Sequence, residues 1–259
     1  MAFPEARRAA ERAIQLDERQ TLAWVVEAAV KYLYEWDWRG AELDFERAIQ
    51  LDANLIEQHM FRGHFYGLMR RFPEALAVYE AVQTVDQLGL QRMHGVILVL
   101  VDRAEEALVL LDELVRSDPT VFEHHGIRAL ALAKLGRYDE AAESNALAAQ
   151  LSEDHPLYLA TQALDLQRAG HPADARRVRE QAQQALEAIP SHEARCVLAI
   201  GDGDLESAAA AAEAAADARS PMVLWFRSWP GCEPLWDHPR FEAMVQRIWP
   251  DEFEQQRIG

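Results

Sequence analysis

Glycine is scarce in this chain, 12 in 259 residues, and there are only two cysteines. Few glycines leave no loop able to cradle a phosphate, and with abundant alanine they favour helix almost throughout. Cys196 and Cys232 form no short-spaced pair, which excludes a disulfide framework and reads as reduced thiols in a cytoplasmic protein. No apolar run reaches the length of about 18 residues that a membrane helix needs. Met1-Ala2-Phe3-Pro4 has neither the charged nor the apolar part of a signal peptide. Positive charge is in short supply as well: 26 Lys and Arg stand against 43 Asp and Glu, a formal net charge of −17. Nucleic-acid binders draw their affinity from neutralising phosphates, so that class is excluded, and so is docking on an anionic membrane.

What the chain does have is repetition. ERAIQLD occurs at residues 11–17 and again at 46–52, an offset of 35. A small residue opens a helical pattern at Ala6, Ala41, Ala75, Ala107, Ala141, Ala175 and Ala208, in steps of 35, 34, 32, 34, 34 and 33. A period in the mid-thirties with two helices per unit is the mark of a helical-repeat solenoid. The expected fold is therefore all-α, a right-handed superhelical solenoid of antiparallel helix pairs. Residues 1–219 would form the repeat array, a half repeat plus about six pairs. Residues 220–259 would form a Trp-rich capping segment with a short helix.

The pairs are expected at 19–35 with 38–51, 55–69 with 72–85, 89–101 with 104–116, 120–135 with 138–151, 156–169 with 172–186, and 191–200 with 204–218. Residues 3–16 match the second helix of a pair whose first helix is missing, which suggests a piece of a longer polypeptide. Gly136, Gly170 and Gly203 stand where first helices stop and left-handed backbone is wanted. Gly63 and Gly95 fall inside helices, where two helices should cross closely. Residues 96–101, VILVLV, look like a buried strand; the register on both sides demands helix, covered by neighbours on every side.

These residues resemble the tetratricopeptide repeat. Gly63, Tyr66, Phe72, Ala75 and Tyr79 in one pair, and Tyr32, Trp38, Ala41, Phe45 and Ala48 in another, carry the likeness, as does Pro119 at a unit's end. It covers about residues 3–218. Asn145 and Arg179 depart from it, standing where the family has an aromatic. A narrower likeness, in YEWDWRGAELDFERAIQLDAN and CEPLWDHPRFEAMVQRIWP, is to the repeat region of bacterial multidomain signalling proteins that carry winged-helix, nucleotide cyclase or kinase domains. That resemblance implies a sensory or scaffolding role.

No catalytic motif, metal site or cofactor site is expected. Gly201-Asp202-Gly203-Asp204 lacks the ligand spacing of a calcium loop and reads as a turn. Adjacent His124 and His125 diverge by about 100° on a helix and read as surface residues. First helices line the inner face of such a solenoid. By register that face carries Val26, Val30, Tyr34, Met60, His64, Arg92, Val96, Leu130, Lys134, Leu164 and Arg168. It suits an amphipathic helix or an apolar peptide. The expected function is thus non-enzymatic binding of a protein or peptide partner in that groove. The alternatives are a ligand-responsive module controlling an attached output domain, and a homo-oligomer built through Trp-rich terminal surfaces.

Overall fold

The computed structural model describes residues 3–81 and 88–250. Among them there are fourteen α-helices and no strand. The chain divides into two compact units. One comprises Met1–Leu90, Arg219–Leu224 and Gln246–Gly259; the other comprises Gln91–Ala218 and Trp225–Val245.

In the first unit α1 (Phe3–Leu16) packs on α2 (Thr21–Val30), α2 on α3 (Trp38–Leu51), and α4 (Ile56–Leu68) on α5 (Phe72–Ala81). Residues 82–85 of the expected second helix of that last pair lie outside the described residues. The helix expected over 19–35 ends in a wider π turn, Lys31–Glu35, closed by Trp36 at φ +63°. Asp37 then starts α3 by accepting from the Gly40 N–H at 2.9 Å, so the WDWR turn supplies its own helix cap. The core is aromatic. Tyr32, Trp38, Phe45 and Phe65 are buried, and their rings lie 5.6–6.5 Å from that of Tyr32. Gly63 is needed at the α4–α5 crossing, because a Cβ there would stand 2.7 Å from the Tyr79 hydroxyl oxygen.

Two tail segments complete this unit. The Trp249 ring stacks on Trp38 with centroids 5.5 Å apart, and the Trp38 indole N–H donates to the Ile248 carbonyl at 2.6 Å. The Arg219 guanidinium lies 3.5 Å from the centre of the Trp36 ring. The tail thus covers the turn between α2 and α3.

The second unit holds α7 (Ala104–Ser117), α8 (Phe122–Lys134), α9 (Tyr138–Leu151), α10 (Pro156–Arg168), α11 (Pro172–Ala188), α12 (His192–Asp202) and α13 (Leu205–Asp217). It also takes most of α6 (Leu88–Leu100) and of α14 (Pro239–Ile248). The strand-like VILV run is helix: Val96, Ile97, Leu98 and Val99 on α6 are all at most 4% exposed. Gly136, Gly170 and Gly203 adopt φ of +74°, +86° and +73° at the turns. At the far end Arg240 on α14 donates to Glu206 at 2.6 Å and to Glu213 at 2.5 Å, both on α13, fastening the short helix to the last pair.

One expectation fails. His124 and His125 are buried, at 1% and 5% exposure, not surface residues. Their ring N–H groups donate back to the carbonyls of Asp118, at 3.3 Å, and Pro119, at 2.9 Å. Carbonyls of the preceding turn lack helical partners, and the two imidazoles satisfy them.

Trp249→Ala removes the stacking partner of Trp38 and leaves a cavity, a change that costs about 3–5 kcal/mol for buried aromatics. Its denaturant midpoint, followed by circular dichroism, is expected to fall clearly below wild type, with Trp249→Phe recovering part of the loss. An unchanged midpoint for the alanine variant would show that the tail contact contributes nothing.

Candidate interaction surface

The expected lining residues are placed unevenly. On α2, α4 and the π turn, Val26, Met60, Tyr34 and His64 are half-buried, and Val30 is buried. Tyr34 stacks on Phe3 of α1, ring centroids 5.3 Å apart, and Arg7 pairs with Glu35 beside it. His64 Nδ1 shares a 3.0 Å hydrogen bond with the Tyr32 hydroxyl, and burial lowers its imidazole to about 4, so it is neutral at pH 7.

In the second unit Val96 and Leu130 are buried within the helix packing. The cations stay nearer water. Arg92 faces Glu123 at 3.9 Å, and Lys134, exposed at the end of α8, pairs with Asp102 at 2.8 Å. Leu164 and Arg168 on α10 lie against the tail backbone at Gly231, where an added Cβ would be 3.8 Å from the first and 3.9 Å from the second. Tail chain therefore already touches part of the expected lining.

Inside the pairs, the residue four places after the buried alanine sets the local chemistry. It is Phe45 after Ala41 and Tyr79 after Ala75, but Asn145 after Ala141 and Arg179 after Ala175. Asn145 is buried on α9 and donates to the Asp165 carboxylate of α10 at 2.8 Å. Burial raises that carboxyl from 3.8 to about 7, while the Asn145 bond and the Arg168 charge pull the other way. Arg179 reaches across to pair with Asp202 at the end of α12. Beside it opens a cleft of about 370 Å³ between α10, α11 and α12. Ala160, Ala163, Leu164, Val197 and Leu198 form its apolar walls, and Gln167, Arg176 and Arg179 are among its polar residues. Of the residues picked by register, only Leu164 lines it. The sequence signal for the cleft was the departure from an aromatic at Arg179.

The Gly201–Asp204 stretch is a turn. Gly203 caps α12, and Asp204 accepts from the Ser207 N–H at 3.1 Å to start α13. Among the described residues no group of three or more His, Cys, Asp or Glu side chains is arranged to hold a metal ion. Cys196 and Cys232 are buried free thiols, and burial pushes Cys196 up to about 12, which makes it a poor nucleophile.

No protein-family model matches the sequence, and no curated protein matches it. Solved structures do. A tetratricopeptide repeat protein from Parabacteroides merdae superposes with a TM-score of 0.66 at 11% identity, over 95% of this chain and 92% of its own. The chain has the tetratricopeptide-repeat fold. PilW, a widely conserved type IV pilus biogenesis factor, shares that fold with a TM-score of 0.65 at 20% identity, over 76% of this chain and 90% of PilW. MamA (MSR-1) gives a TM-score of 0.51 at 19% identity, over 65% of this chain and 98% of MamA. In tetratricopeptide terms, Asn145 and Arg179 replace the aromatic of the second helix, and both departures end in a polar pair to a following first helix.

Asp165 gives this unit a pH signature. Its folded value, about 7, lies above the unfolded 3.8. Between those values the folded site holds a proton that the unfolded chain has released. The contribution is full below pH 4 and is lost as pH rises through 7. Neutral buried His64 works in the opposite sense at acid pH, so the useful quantity is a difference. Urea unfolding at pH 4.5, 6 and 7.5 is expected to show Asp165→Asn gaining steadily on wild type as pH rises. A difference that stays flat would mean that Asp165 titrates normally.

Proposed function

We propose that this chain is a non-enzymatic protein-interaction module. It holds a peptide or an amphipathic helix along the first helices of its pairs and serves as the scaffolding part of a larger bacterial signalling or regulatory protein in the cytoplasm. The observation that carries this reading is the partial coverage of those helices. Val26 and Met60 in the first unit are half-buried, and Arg92, Lys134, Leu164 and Arg168 in the second are half-buried or exposed, so each keeps some surface in reach of a partner. Val30, Val96 and Leu130 are buried, and in this reading they hold the first helices in place without touching a partner. Taken by itself, the first unit offers apolar side chains on α2 and α4, which suit an apolar peptide face, and the second unit offers cations on α6, α8 and α10, which suit acidic side chains.

Two further features support a binding role over a chemical one. The buried titratable groups, His64, Asp165 and Cys196, owe their shifts first to desolvation, and each sits within helix packing. The free buried thiols fit a reducing compartment. Self-association through the Trp-rich tail is the poorer reading, because Trp225 and Trp249 are buried within the chain and Trp236, at 42% exposure, already bonds its indole N–H to the Phe226 carbonyl.

A displayed peptide library selected on the protein is the test. Hits are expected to lose at least tenfold in affinity with Met60→Glu or Arg92→Glu, neither of which is in the core. Library peptides that bind both variants as well as wild type would reject the first helices as the binding face.

A further inference from the structure

We infer that the cleft between α10, α11 and α12 is an anchor pocket for one aromatic side chain of an acidic partner segment. The inference rests on the interaction reading above and names the chemistry of one subsite. In the first unit the corresponding positions are filled from within, by Phe45 at 2% exposure and Tyr79 at 2%. In the fifth pair the residue is Arg179, and its guanidinium is drawn off to Asp202. The room that a ring of the chain's own would take is left open, and at about 370 Å³ it lies within the size range of ligand pockets. Its walls are the methyl-bearing faces of Ala160, Leu164, Val197 and Leu198, which offer a ring apolar contact but no hydrogen bond.

The rim decides what accompanies the ring. Two arginines, Arg176 and Arg179, line the cleft against one acid, Asp202, in a chain whose net charge is −17. Arg177 is engaged by Asp174 and Arg179 by Asp202. Arg176, exposed at the cleft, makes no ion pair or hydrogen bond among the described residues. A guanidinium left over beside an apolar cavity selects a carboxylate next to the anchoring ring, because arginine binds carboxylates through two parallel hydrogen bonds. The overall negative charge of the protein repels acidic segments elsewhere, so this rim would also fix where such a segment lands.

The probe is a fluorescein-labelled, end-capped Glu-Asp-Phe-Asp-Glu peptide, titrated with the full chain and followed by anisotropy. Binding is expected to weaken at least tenfold when the peptide's Phe is changed to Ala and when the protein carries Arg176→Glu. Arg176→Lys, which keeps the charge but not the paired hydrogen bonds, should bind more weakly than wild type and better than Arg176→Glu. Gln167→Trp, a change at an exposed position on the cleft wall, should block the cleft and abolish binding without altering the helical circular dichroism. Leu16→Glu, at an exposed position on α1, should leave it unchanged. Absence of binding at millimolar protein, or binding indifferent to the peptide's Phe, to Arg176→Glu and to Gln167→Trp, would overturn the anchor pocket. If library peptides still bound along α2 and α4 in that case, the interaction reading would stand without it. Binding in the cleft with no library peptide on the first helices would leave the pocket standing and refute the wider groove.

Discussion

The whole arrangement depends on close approach at one small side chain per pair. Ala41, Ala75, Ala107, Ala141, Ala175 and Ala208 are each at most 7% exposed. Each sits early in the second helix and lets the first lie against it. A larger residue would push the helices beyond the 8–10 Å at which side-chain ridges interlock. Gly63 is the same requirement seen from the first helix, since Tyr79 occupies the place where a Cβ would be. Where both helices are small at the crossing, as at Ala129 or Ala163, alanine suffices and helix propensity is kept. The recurring step in the sequence is therefore a record of where backbones must come together.

Four residues later the same helix has a choice, and the pairs make it differently; Leu111 after Ala107 is apolar and buried as well. Phe45 and Tyr79 fill the space behind the alanine with rings and belong to an aromatic core. Asn145 and Arg179 put polar atoms there; buried Asn145 must find a partner, because a buried donor without one costs about 1–3 kcal/mol, while Arg179 is half-buried. Asp165 and Asp202 answer that need from the next first helices. The substitution exchanges non-directional packing for directional pairs. A buried pair fixes the register between neighbouring helices more tightly than a ring does. It also leaves volume unfilled, and an acid in that setting holds its proton far above its ordinary range. The raised carboxyl of Asp165 goes with the exchange at Asn145, and the cleft with the one at Arg179.

The helices were legible because periodicity reports which face is inward, and neighbours in such an array are neighbours in sequence. The helices 38–51 and 138–151 have the limits expected for them, and VILVLV could be read as helix since a fixed register outweighs local strand propensity. Coverage was not legible. Register put Val30, Val96 and Leu130 on the inner face beside Val26 and Met60, yet the first three are sealed by packing and the last two are not. Face is a property of one helix; exposure depends on the size of every residue on its neighbours. His124 and His125 failed for a related reason. Two polar residues in a row suggest water, but here they serve unpaired carbonyls one turn upstream. The departure at Arg179 was visible in the sequence; the partner it would find, Asp202, was not.

The tail shows where sequence pattern ends altogether. Trp38 and Ile248 are 210 positions apart, and no period links them. Closing so long a loop costs about 5 kcal/mol in chain entropy if it is closed by that contact alone. A buried indole stack, an indole-to-carbonyl hydrogen bond and the Arg219–Trp36 contact are together of the size needed to offset it. The helices between already shorten the effective loop, so the true cost is lower and the balance favours the closed form. A capping segment needs to cover only the last pair, and the Arg240 contacts with Glu206 and Glu213 do that. Within the first unit, Trp249 covers Trp38 at the turn between α2 and α3. Trp36 and Trp38 would otherwise present an apolar surface at that turn, and the fold covers it with its own chain.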